Sequence, residues 1–174
     1  MLPQLTMVLG GAASGKSRYA EAIVCRASAR RLYIATAEAH DGEMSRQIAL
    51  HRAQRAADGW DTIEAPLDLA PALEGACADQ AVLLDCATLW LGNHMMAGHD
   101  IAEAEAALMA ALMRCAAPVV IVSNEVGLSV VPDNALARRF QRSQGALNQR
   151  LAQRAELVVL VTAGLPLALK GALP

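Results

Sequence analysis

Aromatic residues are scarce in this chain of 174 residues, at 3%, with two tryptophans, two tyrosines and one phenylalanine. Binding of single-stranded nucleic acid requires exposed rings on which bases stack, so this scarcity argues against that class of protein. Basic residues do not offer an alternative nucleic-acid surface, because the chain has 15 Lys and Arg against 17 Asp and Glu and contains no basic run. The net charge of −2 argues against a broad surface for phosphate backbones, and we expect no nucleic-acid partner.

The sequence also lacks the patterns of a zinc site, a disulfide framework and a membrane span. Its four cysteines form no CxxC pair and lie far apart, at Cys25, Cys77, Cys86 and Cys115. We therefore expect free thiols in a reducing compartment. No apolar run is long enough to cross a bilayer, and the N-terminus lacks a signal-peptide pattern. These absences together predict a cytoplasmic protein with no membrane span.

Short apolar runs alternate with longer amphipathic stretches along the chain, and hydrophobic residues make up 55% of it. This alternation predicts one α/β domain over residues 1–174, with a doubly wound, mainly parallel sheet and helices on both faces. Predicted strands are Leu5–Leu9, Leu32–Thr36, Thr62–Ala65, Ala81–Asp85, Val119–Ser123 and Leu157–Thr162, with an edge strand beyond Gly164. Predicted helices are Lys16–Arg26, Asp41–Ala57, a short one framed by Pro66 and Pro71, Ile101–Arg114 and Pro132–Arg154, the last with an apolar stripe of Leu136, Phe140, Leu147 and Leu151.

A phosphate-binding motif connects the first predicted strand to the first predicted helix. The run Gly10-Gly11-Ala12-Ala13-Ser14-Gly15-Lys16-Ser17 satisfies G-x-x-x-x-G-K-[ST], the P-loop pattern. Glycines let the backbone wrap closely around phosphate oxygens, and the helix N-terminus adds the positive end of its dipole. Lys16 is then predicted to reach the terminal phosphates, and the Ser17 hydroxyl to bind Mg²⁺. The motif predicts a P-loop NTPase-like fold that binds a nucleoside triphosphate, but it leaves the reaction open.

Two acidic residues come at or directly after predicted strands. Asp85 ends one apolar run and Glu125 follows another. In a doubly wound sheet both would lie at the edge that carries the P-loop, where a carboxylate holds Mg²⁺ directly or through water. Either could equally be a loop-capping acid, and the sequence does not divide the roles of metal ligand and base between them.

One histidine shares a predicted helix face with polar partners. Gln47, His51 and Arg55 are four residues apart and therefore lie on one face. A neutral imidazole beside a guanidinium keeps a free lone pair, as a nucleophile attacking an α-phosphate requires. From the residues alone, a solvated histidine on a helix surface is the commoner interpretation. The residues also leave open a P-loop small-molecule kinase without a covalent intermediate, and a P-loop NTPase acting as a switch on a protein partner.

Longer segments carry a resemblance to a known family. These are GGAASGKSRYAE, LYIATAEAHDGEM, His51-x-x-x-Arg55, VLLDCATLWLGN, SNEVGLSVVPDNALARRFQRSQGALNQRLA and ELVVLVTAG. Together they cover nearly the whole chain in order. The chain resembles the bifunctional adenosylcobinamide kinase/adenosylcobinamide-phosphate guanylyltransferase family, and the segment from NEVG to NQRLA is the most specific part, because generic P-loop proteins do not share it.

The resemblance implies two successive reactions on small-molecule substrates, adenosylcobinamide with ATP or GTP. Phosphorylation of the adenosylcobinamide hydroxyl comes first. A histidine matched by His51 then takes GMP from GTP and passes it to the phosphorylated acceptor. The resemblance also implies nucleotide contacts by Ala35, Thr36, Ala37, Arg52, Ala53, Gln54, Arg55, Glu64 and Asp85. We further expect Mg²⁺ as cofactor, with Ser17 and Asp85 as its ligands. The resemblance also suggests a homotrimer.

Overall fold

The sheet of the protein follows the apolar runs of its sequence. A computed structural model describes residues 2–38, 55 and 58–174. Within these residues the strands are β1 (Leu5–Gly10), β2 (Arg30–Ala35), β3 (Trp60–Glu64), β4 (Gln80–Asp85), β5 (Val119–Asn124), β6 (Leu157–Thr162) and β7 (Leu165–Lys170). They form one sheet in the order β3-β2-β4-β5-β1-β6-β7, in which only the β6–β7 pair is antiparallel. The mainly parallel sheet and its edge strand after Gly164 are confirmed.

Helices cover both faces of this sheet, as predicted. In the described part of the chain, apart from the single helical residue Arg55, they are α1 (Lys16–Ala27), α2 (Ala70–Glu74), α3 (Ala87–Met96), α4 (Ile101–Arg114) and α5 (Ala135–Arg154). Successive residues of β1 belong to different clusters, because side chains alternate between the faces of a strand. Val8 lies in the cluster that contains Ile23 and Val24 of α1, whereas Met7 lies in the one that contains residues of α2 to α5. Burial on both faces explains why the central strands are uninterrupted apolar runs.

The carboxyl ends of the central strands meet at one edge of the sheet. Gly10 at the end of β1 pairs with Asn124 of β5. Ala35 at the end of β2 pairs with Asp85 of β4 on one side and with Glu64 of β3 on the other. This register gathers the residues that follow each strand, which is where ligands bind in open α/β sheets.

Three details of the prediction are wrong. The long helix begins at Ala135, where the Asn134 side chain accepts a hydrogen bond from the Ala137 N–H at 2.8 Å, so Pro132 precedes the helix instead of opening it. Leu136 is 66% exposed and does not belong to the buried stripe, because it lies in the first turn, beyond the part of the helix that packs on the sheet. Helix α3 was not predicted at all.

The helix predicted over Asp41–Ala57 lies outside the described residues except for Arg55, which is helical. Across the part of the chain that the structure covers, no helix combines the length and the apolar character needed to cross a bilayer.

Candidate functional site

The glycine-rich segment forms a tight loop between β1 and α1. The Ser14 N–H donates to the Gly11 carbonyl at 3.3 Å, and the Lys16 Nζ folds back to the same carbonyl at 3.1 Å. Gly15 has φ 91°, a left-handed conformation that favours glycine, directly before the helix. The first turn of α1 contains no acidic residue. Free N–H groups, the helix dipole and Lys16 therefore combine at a site suited to an anion.

Gly10 is required by close packing. A Cβ added there would lie 2.3 Å from the Ser14 Oγ and 2.7 Å from the Val161 carbonyl oxygen. The Ser14 Oγ is buried and has no hydrogen-bond partner among the described residues. An unpartnered buried hydroxyl is uncommon in native proteins.

Two other segments hold the loop from outside. The turn between β6 and β7 has Ala163 and Gly164 at φ 52° and 78°, the conformation of a tight two-residue hairpin. Its Gly164 N–H donates to the Ser14 carbonyl at 2.9 Å. On the other side the Glu125 N–H donates to the Gly10 carbonyl at 3.1 Å. Both ends of the loop are thereby fixed to the sheet.

A cavity of about 270 Å³ lies beside the start of α1. Its lining consists of Ser17, Glu21, Tyr33, Ala35, Ala37, Arg55, Asp85 and Leu89. The Tyr33 hydroxyl donates to the Asp85 carboxylate, and the Arg55 guanidinium lies 3.7 Å from the centre of the Tyr33 ring. Burial, and then the adjacent Asp85 carboxylate, raise the pKa of Tyr33 well above its ordinary value. Tyr33 therefore keeps its proton and acts as a hydrogen-bond donor to Asp85.

Arg55 is arranged as an anion-binding group. One face of its guanidinium rests on Tyr33, and its Nε is buried without a hydrogen-bond partner among the described residues. A buried guanidinium N–H costs free energy unless it is bonded. A phosphate oxygen in the cavity would satisfy it, since planar guanidinium groups bind phosphate well.

The donors available for a metal ion are hard oxygens. Ser17 and Asp85 line the same cavity, whereas no group of three or more His, Cys, Asp or Glu in the described part of the chain is arranged to hold a metal. Mg²⁺ commonly takes only one or two protein ligands and completes its shell with phosphates and water. The residues present therefore fit Mg²⁺ bound together with a nucleotide, and they do not fit a resident metal held by protein alone.

A buried threonine forms the wall behind this cavity. The Thr36 Oγ1 donates to the Cys86 carbonyl at 2.9 Å and accepts from the Cys86 N–H at 2.8 Å. The Asn93 amide of α3 donates to the carbonyls of Thr36 and Pro66, at 2.8 and 3.0 Å. These bonds fix the backbone from Ala35 to Ala37 and place α3 across the carboxyl edge of the sheet.

The structure thus brings together part of the predicted site. Ser17, Ala35, Ala37, Arg55 and Asp85 line one cavity at the end of the glycine-rich loop. Thr36 lies behind the cavity, and Glu64 is exposed at the end of β3. The remaining predicted residues, His51, Arg52, Ala53 and Gln54, lie outside the described residues.

Of the two acids with open roles, only Asp85 reaches the cavity. The Glu125 Oε1 accepts from the Gly127 N–H at 2.8 Å, so this carboxylate caps its own turn.

Sequence reasoning missed Tyr33, Glu21 and Leu89 as cavity residues. A signal for Tyr33 was present: it lies two residues before Ala35 in a strand, hence on the same face, and it is the one polar side chain between Leu32 and Ala35.

Comparison with known proteins gives concordant results. A sequence profile of the family described as cobinamide kinase / cobinamide phosphate guanyltransferase matches residues 6–169. The bifunctional adenosylcobalamin biosynthesis protein CobP of Pseudomonas aeruginosa is 45% identical, over 95% of this chain and 96% of its own length. The corresponding CobU protein of Salmonella typhimurium is 41% identical, over 95% of this chain and 99% of its own length.

A solved structure supports the fold independently of sequence. An ATPase from the type III secretion system of pathogenic bacteria superposes with a TM-score of 0.55 at 10% identity, over 96% of this chain and 57% of that one. This likeness, together with the glycine-rich loop, shows a P-loop NTPase-like fold. On the sequence matches, the chain belongs to the cobinamide kinase / cobinamide phosphate guanyltransferase family of bifunctional enzymes.

Proposed function

We propose that this protein phosphorylates adenosylcobinamide and then transfers GMP to the product through a guanylylated His51. The observation that carries the proposal is that Ser17, Arg55 and Asp85 line one cavity at the end of the glycine-rich loop. Family membership supplies the substrate class, and the relatives are named as bifunctional proteins of adenosylcobalamin biosynthesis.

In the first reaction, the hydroxyl oxygen of adenosylcobinamide bonds to the γ-phosphorus of ATP or GTP. The bond from that phosphorus to the bridging oxygen breaks, the nucleoside diphosphate leaves with that electron pair, and the hydroxyl proton is released to water. The loop backbone and Lys16 bind the phosphates and stabilise the charge that develops on the transferred group. Mg²⁺, when held by the Ser17 hydroxyl and the Asp85 carboxylate, would neutralise phosphate charge.

In the second reaction, a ring nitrogen of His51 bonds to the α-phosphorus of GTP and pyrophosphate leaves. The resulting phosphoramidate conserves the reactivity of the broken anhydride. A phosphate oxygen of cobinamide phosphate then bonds to the same phosphorus, and His51 leaves as the free imidazole. Arg55 is four residues from His51, a spacing that predicts one shared helix face, from which its guanidinium can stabilise the charge on the α-phosphate.

The covalent intermediate provides the test. Purified protein is incubated with Mg²⁺ and GTP labelled at the α-phosphate, denatured, and examined for acid-labile, alkali-stable label. We expect label from α-labelled GTP, none from γ-labelled GTP, and little from α-labelled ATP. His51→Ala should lose the label, whereas His40→Ala should keep it. A folded, GTP-binding protein that never becomes labelled would contradict the guanylyltransferase half and favour the P-loop kinase without a covalent intermediate.

We also propose that the enzyme works in the cytoplasm as one domain and as a homotrimer. The family resemblance supports these statements. The cytoplasmic location is also supported by the four cysteines, all of which are free. Sedimentation velocity of the purified protein tests the trimer directly.

A further inference from the structure

A second cavity, of about 260 Å³, lies beside α3. Its lining is largely apolar and includes Leu67, Trp90 and Leu108, but two histidines, His94 and His99, also face it. His94 is 9% exposed, whereas His99 is exposed to solvent. Neither histidine has a role in the transfer chemistry proposed above.

The turn after α3 brings the two imidazoles together. Gly98 adopts the left-handed conformation, with φ 72°, that commonly ends a helix. The His99 N–H then donates to the His94 carbonyl at 3.1 Å, and Asp100 caps the start of α4. As a result the two Nδ1 atoms are 3.0 Å apart.

The hydrogen bonds fix the tautomer of both rings. The His94 Nε2 lies 3.2 Å from the Leu67 carbonyl oxygen, which can only accept, so the His94 Nε2 carries the proton. With its proton on Nε2, a neutral His94 offers the lone pair of its Nδ1 to His99. His99 must then donate from its own Nδ1. A neutral His99 consequently presents the lone pair of its Nε2.

Such a chain is how proteins prepare a metal-binding imidazole. A ligating histidine usually donates its other ring N–H to an acceptor that fixes its orientation and raises its basicity. Here His94 is the acceptor that orients His99, and the Leu67 carbonyl is the acceptor that orients His94. The Leu67 carbonyl oxygen also accepts a hydrogen bond from the Trp90 Nε1 at 2.8 Å. Both lone pairs of this oxygen are therefore used, which fixes its position beside His94.

The cavity is placed at the same edge of the sheet as the nucleotide site. Asn93, directly before His94, bonds the carbonyls of Thr36 and Pro66, which follow β2 and β3. Thr36 in turn bonds to Cys86, the residue after Asp85. Residues of α3 line both cavities.

We infer that His99 binds the cobalt of the corrinoid acceptor through its Nε2, with the macrocycle covering the apolar cavity beside Trp90. This inference rests on the proposed function. Cobinamide is a flat macrocycle around cobalt that lacks a nucleotide base of its own, so one axial position of the metal holds an exchangeable water. The hydroxyl to be phosphorylated ends a flexible side arm of the same molecule.

Coordination is a simple ligand exchange. The His99 Nε2 donates its lone pair to cobalt, the axial water leaves, and no oxidation state changes. Imidazole is a suitable ligand for such a borderline transition metal. The surroundings favour a cationic corrinoid, because Asp68 lines the cavity and Asp100 follows His99.

Electron paramagnetic resonance tests the coordination directly. Cobinamide is reduced to the cobalt(II) form under anaerobic conditions and mixed with the full chain. A single axial nitrogen splits each cobalt line into a triplet, whereas water produces no such splitting. We expect the triplet with the native protein, and with His40→Ala as a matched histidine control. We expect its loss in His99→Ala.

Binding and turnover measured on the same samples separate this inference from the proposed function. Titration with adenosylcobinamide should show a dissociation constant raised about tenfold or more in His94→Asn, because outer partners of a metal-binding histidine contribute on that scale. Guanylyl transfer without a triplet in the native protein would overturn the role of His99 and leave the proposed function standing. Absence of both cobinamide binding and transfer would instead overturn the proposed function, and the inference with it.

Discussion

The Tyr33 hydroxyl donates a hydrogen bond to the Asp85 carboxylate across the boundary between β2 and β4. The same ring supports the Arg55 guanidinium at 3.7 Å. One aromatic side chain thus holds an acidic group and a basic group on the wall of a single cavity. It has this role because burial raises the pKa of Tyr33, so that the phenol stays protonated beside the carboxylate.

The first prediction concerns the hydroxyl of Tyr33. In Tyr33→Phe the ring remains beneath Arg55, but Asp85 loses a fixed donor and can turn away from the nucleotide. We expect the Mg²⁺ concentration for half-maximal kinase activity to rise about threefold to tenfold, which corresponds to a hydrogen bond of about 1 kcal/mol. Titration of Mg²⁺ at saturating nucleotide measures this value.

A matched variant controls for loss of a phenol elsewhere. Tyr19 also contacts the core beneath α1 but does not line the cavity. Tyr19→Phe should leave the Mg²⁺ requirement unchanged. Equal Mg²⁺ curves for the native protein and Tyr33→Phe would show that the bond to Asp85 has no part in metal binding.

A second prediction separates two adjacent glycines of the loop. Gly10→Ala places a methyl group 2.7 Å from the Val161 carbonyl oxygen, so a strand must shift. Overpacking of this kind typically costs about 1–3 kcal/mol. Gly11→Ala meets nothing within 4 Å and should leave the free energy of unfolding of the nucleotide-free protein unchanged.

Urea unfolding followed by circular dichroism compares the two variants. Any loss of nucleotide affinity in Gly11→Ala then reflects the methyl group approaching a phosphate, because the loop itself is intact. A Gly10→Ala protein as stable as the native chain would show that the close approach of β1, Ser14 and β6 is not maintained in solution.

Much of this fold could be predicted because each local pattern has one physical cause. Strands buried on both faces must be apolar throughout, as in the run from Val119 to Val122, and this marks them in the sequence. The glycine-rich loop is equally easy to recognise in the sequence, since its geometry requires Gly10 and Gly15. Helix α3 gave no such signal. It is buried on several sides, at Ala87, Trp90, Leu91 and His94, and therefore lacks the polar face that reveals an amphipathic helix.

The side-chain contacts of the site were beyond sequence reasoning for a different reason. Tyr33 and Asp85 are 52 residues apart, and their hydrogen bond depends on the pairing of β2 with β4. Strand order in a parallel sheet is set by crossovers and by packing of the whole core. A resemblance could identify Asp85 by its motif, but the partner that orients it became visible only with the register.

A third prediction concerns the buried polar group beneath the end of β5. The Asn148 Oδ1 accepts from Ser123 at 2.7 Å and from Gln144 at 2.8 Å, while its Nδ2 donates to the Asn124 carbonyl at 3.1 Å. Asn148→Leu removes the acceptor of the Ser123 hydroxyl and the donor to the Asn124 carbonyl, while Gln144 still donates to the Ser123 Oγ at 2.9 Å. We expect a cost of about 2–3 kcal/mol of unfolding free energy.

Gln144→Met is the informative comparison. The Gln144 Oε1 is buried without a partner among the described residues, so methionine removes an unsatisfied atom along with the amide donor. Ser123 still satisfies Asn148. We expect a cost of about 1 kcal/mol or less, measured by urea unfolding. A larger loss in Gln144→Met than in Asn148→Leu would contradict the central place of Asn148.

The last prediction is a pH dependence at the ion pair between Glu105 and Arg150. Glu105 is 4% exposed, and burial raises its pKa even though Arg150 acts in the opposite direction. A carboxyl whose pKa is higher in the folded state than in the unfolded state stabilises the fold only while protonated. Its contribution is complete below the unfolded pKa of about 4.3 and is lost as the pH rises through the folded value.

Arg150→Ala removes the offsetting charge, so the pKa of Glu105 should rise further. Because Arg150 is half-exposed and partly screened, we expect a loss of about 1–2 kcal/mol near pH 7.5. Near pH 5 the loss should be smaller, since a larger fraction of the Glu105 carboxyl is protonated there and has no charge for Arg150 to offset. The double variant Arg150→Ala with Glu105→Gln cannot ionise at this position, and at pH 7.5 it should recover most of the stability. Equal losses for Arg150→Ala at the two pH values would mean that Arg150 contributes through its packing and not through its charge.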